Sequence, residues 1–372
     1  MAERETVRIT GTYALSALGR GADALLSGVL AGTPAFGPVR RFDTTGRRVT
    51  VAATLPDVGT LADELTDAID AAARAAGLDR VDRAGSALFL ATHGGPHPLP
   101  VPQGRDEPTV PALAARCGLG GPTRVYTTAC VSASTAVADA AALIRRGDLD
   151  RVVVAAGYLV EPDQYALFDA GRALAADGAV RPFSAGRTGL LLGDGVAAVV
   201  LESANAAARR GAESLATVAG WGRAGDAYHP CQPHPDGLGL ARAVEAALRR
   251  GGLPRDAVGY VNANATGTPF SDASEAAALT RVFGEDAARL PVSSTKSVHG
   301  HALEASGLLE LVVTVLALGD GKLPPTAGWL GPDPQCPLDV IRDAPRPART
   351  AHALTLNAAF GGADTALLVS TS

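Results

Sequence analysis

An α/β fold, with sheets covered by helices, is what this sequence predicts, and two observations predict it. Short apolar runs rich in β-branched residues alternate with Ala-rich runs whose apolar residues recur at helical spacing. A helix–turn–strand–loop unit also occurs twice in the same internal order. The bulk agrees: 372 residues, 47% hydrophobic and 19% charged, leave ample core for one large domain or two ordinary ones.

In chain order, "MAERETVRIT" is charged and then strand-like, with no apolar signal region. "LADELTDAIDAAARAAG" reads as a helix closing near a glycine. "SALFLAT" is a buried strand, "SASTAVADAAALIRRG" a second helix, and "RVVVAAG" and "GVAAVVLES" are further buried strands. "LARAVEAALRRG" opens the second copy of the repeat. "LADELTDAIDAAARAAGLDRVDRAGSALFLATHGG" and "LARAVEAALRRGGLPRDAVGYVNANATGTP" follow the same order, and each leads some tens of residues on to a small-residue helix. Two similar halves are expected, 1–205 and 206–372, meeting around residues 203–215. No low-complexity linker parts them, so they form one compact unit.

Composition narrows the function. A formal net charge of −5 gives a general nucleic-acid role no electrostatic support. Cys117, Cys130, Cys231 and Cys336 are widely spaced and form no C-x-x-C pair, which argues against disulfides or zinc and fits a reducing cytoplasm. No apolar run reaches the roughly 18 residues of a membrane span. "GLLELVVTVLALG" comes nearest, and Glu310 interrupts it. "HPCQPH", 229–234, offers His229, Cys231 and His234 but no fourth ligand, and its prolines read as loop, so no metal is expected.

Four stretches carry chemistry. In "TTACVSAS", 127–134, Cys130 lies between small residues at the start of a helical run. Helix-terminal N–H groups favour a thiolate there, so Cys130 is either a nucleophile or a packing residue. "YVNANATGTPFSDASE", 260–275, places Thr266 and Thr268 in a Gly/Pro-fixed loop, where their hydroxyls can bond a polar ligand arm. "PVSSTKSVHGHALEASG", 291–307, clusters Lys296, His299 and His301. "LTLNAAFGGADTALLV", 354–369, puts Phe360-Gly361-Gly362 between two strands, where glycine permits the close backbone approach of an oxyanion hole.

Taken together and in this order, the four stretches resemble the β-ketoacyl synthase family, the condensing enzymes of fatty-acid and polyketide synthesis. "VRITGTYALSALG" looks like the family's opening strand and loop, and "TTACVSAS" like its T-A-C-S-S nucleophile motif. "RPFSAGRTGLLLGDG" looks like R-P-F-D-x-x-R-D-G-F-x-x-G-E-G, "NANATGTP" like N-A-H-G-T-G-T-P, "STKSVHGH" like S-x-K-x-x-x-G-H, and "AAFGGAD" like G-F-G-G-T-N. The resemblance covers nearly the whole chain. It implies a thiolase-like fold, layered αβαβα with two duplicated halves, acting as a homodimer or as a heterodimer with another ketosynthase subunit. It implies a substrate carried on the phosphopantetheine of an acyl carrier protein and no bound cofactor. Cys130 would take the acyl group. The amides of Cys130 and Phe360, with Gly361 beside them, would form the oxyanion hole, and Phe360 would gate the acyl pocket. Thr266 and Thr268 would contact the pantetheine arm. His301 would be catalytic, with Lys296 and Glu275 in the polar network around it. An acidic carrier needs a basic patch, for which Arg40, Arg41, Arg47, Arg48, Arg145 and Arg146 are candidates.

The chain departs from the pattern at Asn264, where the family places its other catalytic histidine. Asn cannot exchange a proton near neutral pH, but its amide still donates a hydrogen bond. Losing one such group costs roughly 10²–10⁴-fold in rate. Three functions stay open: acyl transfer through Cys130 with decarboxylative condensation impaired, true condensation with Asn264 as hydrogen-bond donor, and a non-catalytic partner resembling a chain-length factor. The segment between "THGG" (92–95) and Cys130 is short for the family, which bears on the dimer and the pocket wall. Ser184, Thr188, Asp194, Val131 and Asp364 also differ from the family's residues.

Overall fold

A computed structural model describes residues 5–93 and 109–372. Residues 94–108 of the shortened segment before Cys130 thus lie outside the described residues. The main sheet is built from β1 (Val7–Ser16), β2 (Ala87–Ala91), β3 (Thr123–Tyr126), β4 (Arg151–Tyr158), β5 (Gly195–Ser203), β6 (Ala216–Gly225), β7 (Tyr260–Asn262), β8 (Pro291–Ser293), β9 (Asp339–Val340), β10 (His352–Ala359) and β11 (Ala363–Thr371). The helices that cover and fill it are α1 (Leu61–Ala75), α2 (Ser132–Arg146), α3 (Leu238–Gly251), α4 (Pro269–Phe283) and α5 (Ser306–Asp320).

The strand order is β9-β8-β7-β10-β11-β6-β1-β5-β4-β2-β3. Read inward toward the centre, the two sides repeat. β3, β2 and β4 are mutually parallel, and β5 and β1 then add antiparallel. β8, β7 and β10 are parallel, and β11 and β6 add antiparallel in the same way. A short antiparallel contact, Arg8 with Thr217 and Ile9 with Ala216, joins the two. Each side also has one helix between its first and second strands (α1, α3) and one after its third (α2, α5).

Burial sorts these helices into layers. β4 and β5 are buried along their whole length, as continuous apolar runs require. α1 covers β1, β4 and β5 from outside, and α3 covers β6 and β11. α2 and α5 touch each other and strands of both sides, so they form the middle layer. Their sequences explain the place: α2 is rich in Ala and Ser, and α5 is apolar nearly all round. The result is the five-layered αβαβα arrangement that the resemblance implies. Glycine sets the closest helix-on-strand approaches. A β-carbon on Gly11 would lie 2.3 Å from Ala72 O in α1, and one on Gly222 would lie 1.8 Å from Ala243 O in α3.

The middle helices begin alike. α2 is preceded by a 3₁₀ turn, Ala129–Val131, and α5 by another, Leu303–Ala305. Ala129 has φ 51° and Leu303 has φ 42°, left-handed values that cost strain in a residue with a β-carbon. The two turns touch.

Candidate active site

Cys130 sits inside the first of these turns, two residues ahead of α2 and 8% exposed. Its Sγ lies 3.2 Å from His301 Nε2. His301 is buried just before the second turn, and its Nδ1 meets Ser306 Oγ at 2.9 Å. Ser306 Oγ also accepts from Ala302 N at 3.0 Å, which fixes the hydroxyl and through it the imidazole. The first residue of α5 thus orients the ring that faces the thiol.

Electrostatics differ from the sequence expectation in one respect. The thiol was expected to fall under the helix terminus. Burial instead pushes it up to about 12, with Glu304 adding to the rise and Lys296 opposing it. Burial, Lys296 and His299 hold His301 well below the usual histidine range. The resting pair is therefore a neutral thiol beside a neutral imidazole. The contact places Nε2 where it can take the proton of Sγ.

Asn264 ends β7's loop, 2% exposed, and is held from two directions. Glu275 Oε1, from α4, accepts its backbone N–H at 2.8 Å. Lys296 Nζ donates to its Oδ1 at 3.4 Å. This directs the amide carbonyl at the ammonium and leaves the NH₂ group as the polar face for a ligand. Lys296 is fully buried and paired with Glu310 Oε1 at 2.5 Å, and Glu310 Oε2 accepts from Asn357 Nδ2 at 2.5 Å. The sequence reading put Lys296 and Glu275 together around His301. Their contacts in the structure are specific: Lys296 binds the Asn264 carbonyl with Glu310 as its counter-ion and acts on His301 through its charge, and Glu275 binds the Asn264 backbone. Glu310 was missed as a site residue, although a lone acid inside an apolar helix was its signal. Ser306 carried no such signal.

Cys130, Asn264 and His301 line one cavity of about 420 Å³ together with Thr266, Thr268 and Phe360. Thr266 and Thr268 place their hydroxyl oxygens 3.1 Å apart. Asp272, buried under them, accepts from Thr266 N and Gly267 N at 3.1 Å and from Phe183 N at 2.8 Å. Phe360 is half exposed and stacks on Phe168 with ring centroids 5.8 Å apart. Gly361 does not join the oxyanion hole, because its N–H donates to Pro230 O at 2.7 Å. His299 is buried, bonded to Thr295 Oγ1 at 3.0 Å, and stands apart from the cavity. In the 229–234 loop, His229 Nδ1 accepts from Cys231 N and Gln232 N, and His234 Nδ1 from Asp236 N. Asp194 is fully buried and anchors Arg41 at 2.7 Å.

No helix among the described residues is long and apolar enough to cross a membrane.

Comparison with known proteins places this geometry. The family profile described as Beta-ketoacyl synthase, N-terminal domain, matches residues 102–207, and that described as Beta-ketoacyl synthase, C-terminal domain, matches residues 215–329. The chain is 37% identical over 258 residues to 3-oxoacyl-[acyl-carrier-protein] synthase 2 of Staphylococcus aureus, covering 68% of this chain and 64% of that protein. It is 42% identical over 253 residues to Nodulation protein E of Rhizobium meliloti, covering 67% of this chain and 62% of that one. The chain thus spans a little under two thirds of these relatives' length. Among solved structures it is similar to the ishigamide ketosynthase/chain length factor, with TM-score 0.92 and 28% identity over all of both chains. A beta-ketoacyl synthase from Burkholderia phymatum STM815 gives TM-score 0.91 and 27% identity, covering 99% of this chain and 100% of that one. Profiles, relatives and thiolase-like fold agree, and the chain belongs to the β-ketoacyl synthase family.

Proposed function

We propose that the protein is an acyltransferase of fatty-acid or polyketide type that takes an acyl group from a carrier-protein thioester onto Cys130. The observation that carries this is the 3.2 Å contact between Cys130 Sγ and His301 Nε2 inside a cavity large enough for an acyl chain. Neutral His301 accepts the thiol proton as Sγ attacks the thioester carbonyl, then returns it to the departing pantetheine sulfur. The N–H groups of Cys130 and Phe360 receive the oxyanion. Thr266 and Thr268 bond the pantetheine arm, and the stack of Phe360 on Phe168 closes the acyl pocket. No bound cofactor takes part.

Decarboxylative condensation is slowed in this reading. Asn264 donates a hydrogen bond but moves no proton, which removes roughly 10²–10⁴-fold from enolate formation. Two observations favour a second reading, true condensation. Lys296 fixes the Asn264 carbonyl so that its NH₂ is presented as a donor, and a 37% identical relative is named a 3-oxoacyl synthase. The paired thiol and imidazole speak against a non-catalytic partner.

The acidic carrier protein docks near the pocket mouth. Several arginines considered for docking are engaged inside the chain: Arg41 with Asp194, Arg48 with Asp169, and Arg145 with the Ala219 carbonyl and the Trp221 ring. Arg40 and Arg47 remain the better candidates. Assembly as a homodimer or heterodimer, and division into halves 1–205 and 206–372, belong to the same proposal, the latter supported by the repeated strand order.

The test mixes pure protein with acyl- and malonyl-loaded carrier proteins and follows intact masses. Acyl-Cys130 with the malonyl carrier intact is the expected result. A β-ketoacyl product with CO₂ loss would establish condensation and overturn transfer as the main activity.

A further inference from the structure

Two loops meet at the mouth of the cavity. The loop after β6, residues 226–234, and the loop between β10 and β11, residues 360–362, exchange backbone hydrogen bonds: Asp226 N donates to Gly362 O and Gly361 N to Pro230 O, both at 2.7 Å. Beneath them two carboxyls converge. A β-carbon on Gly239 would lie 2.2 Å from Asp364 Oδ2 and 2.4 Å from Asp226 Oδ1, so both oxygens approach one point. Their surroundings are unequal. Asp226 Oδ1 accepts from Gly239 N at 2.9 Å and its Oδ2 from His234 N at 2.7 Å. Asp364 is 4% exposed, and its Oδ2 has no donor at all.

Carboxyl oxygens that converge on one point repel when charged, and backbone N–H groups compensate Asp226 alone, which leaves Asp364 as the carboxyl without a donor. We propose that Asp364 keeps a proton, donates it to Asp226, and by that shared proton latches the 226–234 loop to the loop carrying the Phe360 gate. Asp364 is then a positioning residue that acts through Phe360, and the inference rests on reading Phe360 as a gate.

The charged groups around Asp364 fit. Burial is the largest influence, Asp226 reinforces it, and Arg242 of α3 opposes it, leaving the Asp364 carboxyl pushed up to about 8. Glu275 of α4 faces the same small cavity with its Oε2 unpaired, and burial lifts it to about 8 as well. His234 contributes its backbone N–H to Asp226, while its ring nitrogen is taken by Asp236 N. Below about pH 8 the latch is closed, and above it two anions repel. An asparagine at 364 would make the same hydrogen bond with its amide at every pH.

Asp364→Asn is therefore the informative variant, with Asp364→Ala as its opposite. Acylation of Cys130 by hexanoyl-pantetheine is followed by intact mass from about pH 6 to about pH 10, alongside hydrogen exchange of the 360–362 amides. The ratio of the Asp364→Asn rate to the wild-type rate is expected to stay constant below about pH 8 and to climb above it. Because Cys130 and His301 are common to both proteins, their titration cancels. Protection of Gly361 and Gly362 should fall over the same range in wild type, persist in Asp364→Asn, and be low throughout in Asp364→Ala. A ratio that stays constant, with protection equal in wild type and Asp364→Asn, overturns the latch. If wild type is never acylated but protection changes as expected, the acyl-enzyme reading fails and the latch stands.

Discussion

Asn264 is pinned by Glu275 at its backbone and by Lys296 at its carbonyl, so the residue proposed to stand in place of the family's histidine is firmly held. In the proposed function its limitation is chemical rather than geometric, and Asn264→His should expose that. The variant is expected to raise malonyl-pantetheine decarboxylation by about 10²–10⁴-fold, measured as CO₂ release. An unchanged rate would mean that the neighbouring ammonium, or the pocket shape, sets the limit. Cys130 makes a second prediction. With its thiol at about 12, the thiolate fraction grows throughout the neutral and mildly alkaline range. Iodoacetamide labelling should therefore rise steadily with pH, without the plateau of a low-pKa thiolate, and vanish in Cys130→Ala.

At the scale of elements, one buried ion pair ties α5 to the substrate side of the site. Lys296 and Glu310 are both fully buried, and Glu310 also holds Asn357 on β10. Glu310→Ala leaves the ammonium without its counter-ion and should cost about 3–5 kcal/mol, read by denaturant unfolding. Gly222→Val sets a side chain against Ala243 O, where even a β-carbon would come to 1.8 Å. Its expected loss exceeds the roughly 1–3 kcal/mol of ordinary overpacking, because a helix backbone must move. These elements also show what the sequence conveyed. Alternating buried runs and the repeated unit were enough for the layered α/β fold, since burial on both faces leaves its mark as continuous Val, Leu and Ala. The order of the motifs brought Cys130, Asn264, His301 and Phe360 to one cavity. Partnerships across the chain were illegible. That Lys296 meets Glu310 rather than Glu275, that Pro230 claims the Gly361 amide, and that burial overrides the helix end at Cys130 all depend on the distance between segments far apart in sequence.

For the whole molecule, buried titrating groups make stability depend on pH in a calculable direction. Burial raises Asp272 to about 6 and Asp364 and Glu275 to about 8. A raised carboxyl contributes stability that is complete below its unfolded value of about 4 and is lost as pH climbs through the folded one. His299, lowered to about 3, and His301, also lowered, act oppositely and favour folding as pH rises toward about 6.5. Between about 6.5 and about 8 the carboxyls act alone, so the melting temperature should fall across that interval. Asp364→Asn combined with Glu275→Gln should flatten the fall. A wild-type profile that is already flat would remove these carboxyls as its source.

The mirrored turns at Ala129–Val131 and Leu303–Ala305 have a further meaning at this scale. They belong to opposite copies of the repeat, so the 3.2 Å between sulfur and imidazole is a gauge read across a seam. A slight displacement of one copy against the other would open this gauge while each copy kept its helices and strands. Acylation of Cys130 then reports alignment rather than folding. On gentle heating it should disappear while circular dichroism is still native, and return on cooling as the seam closes.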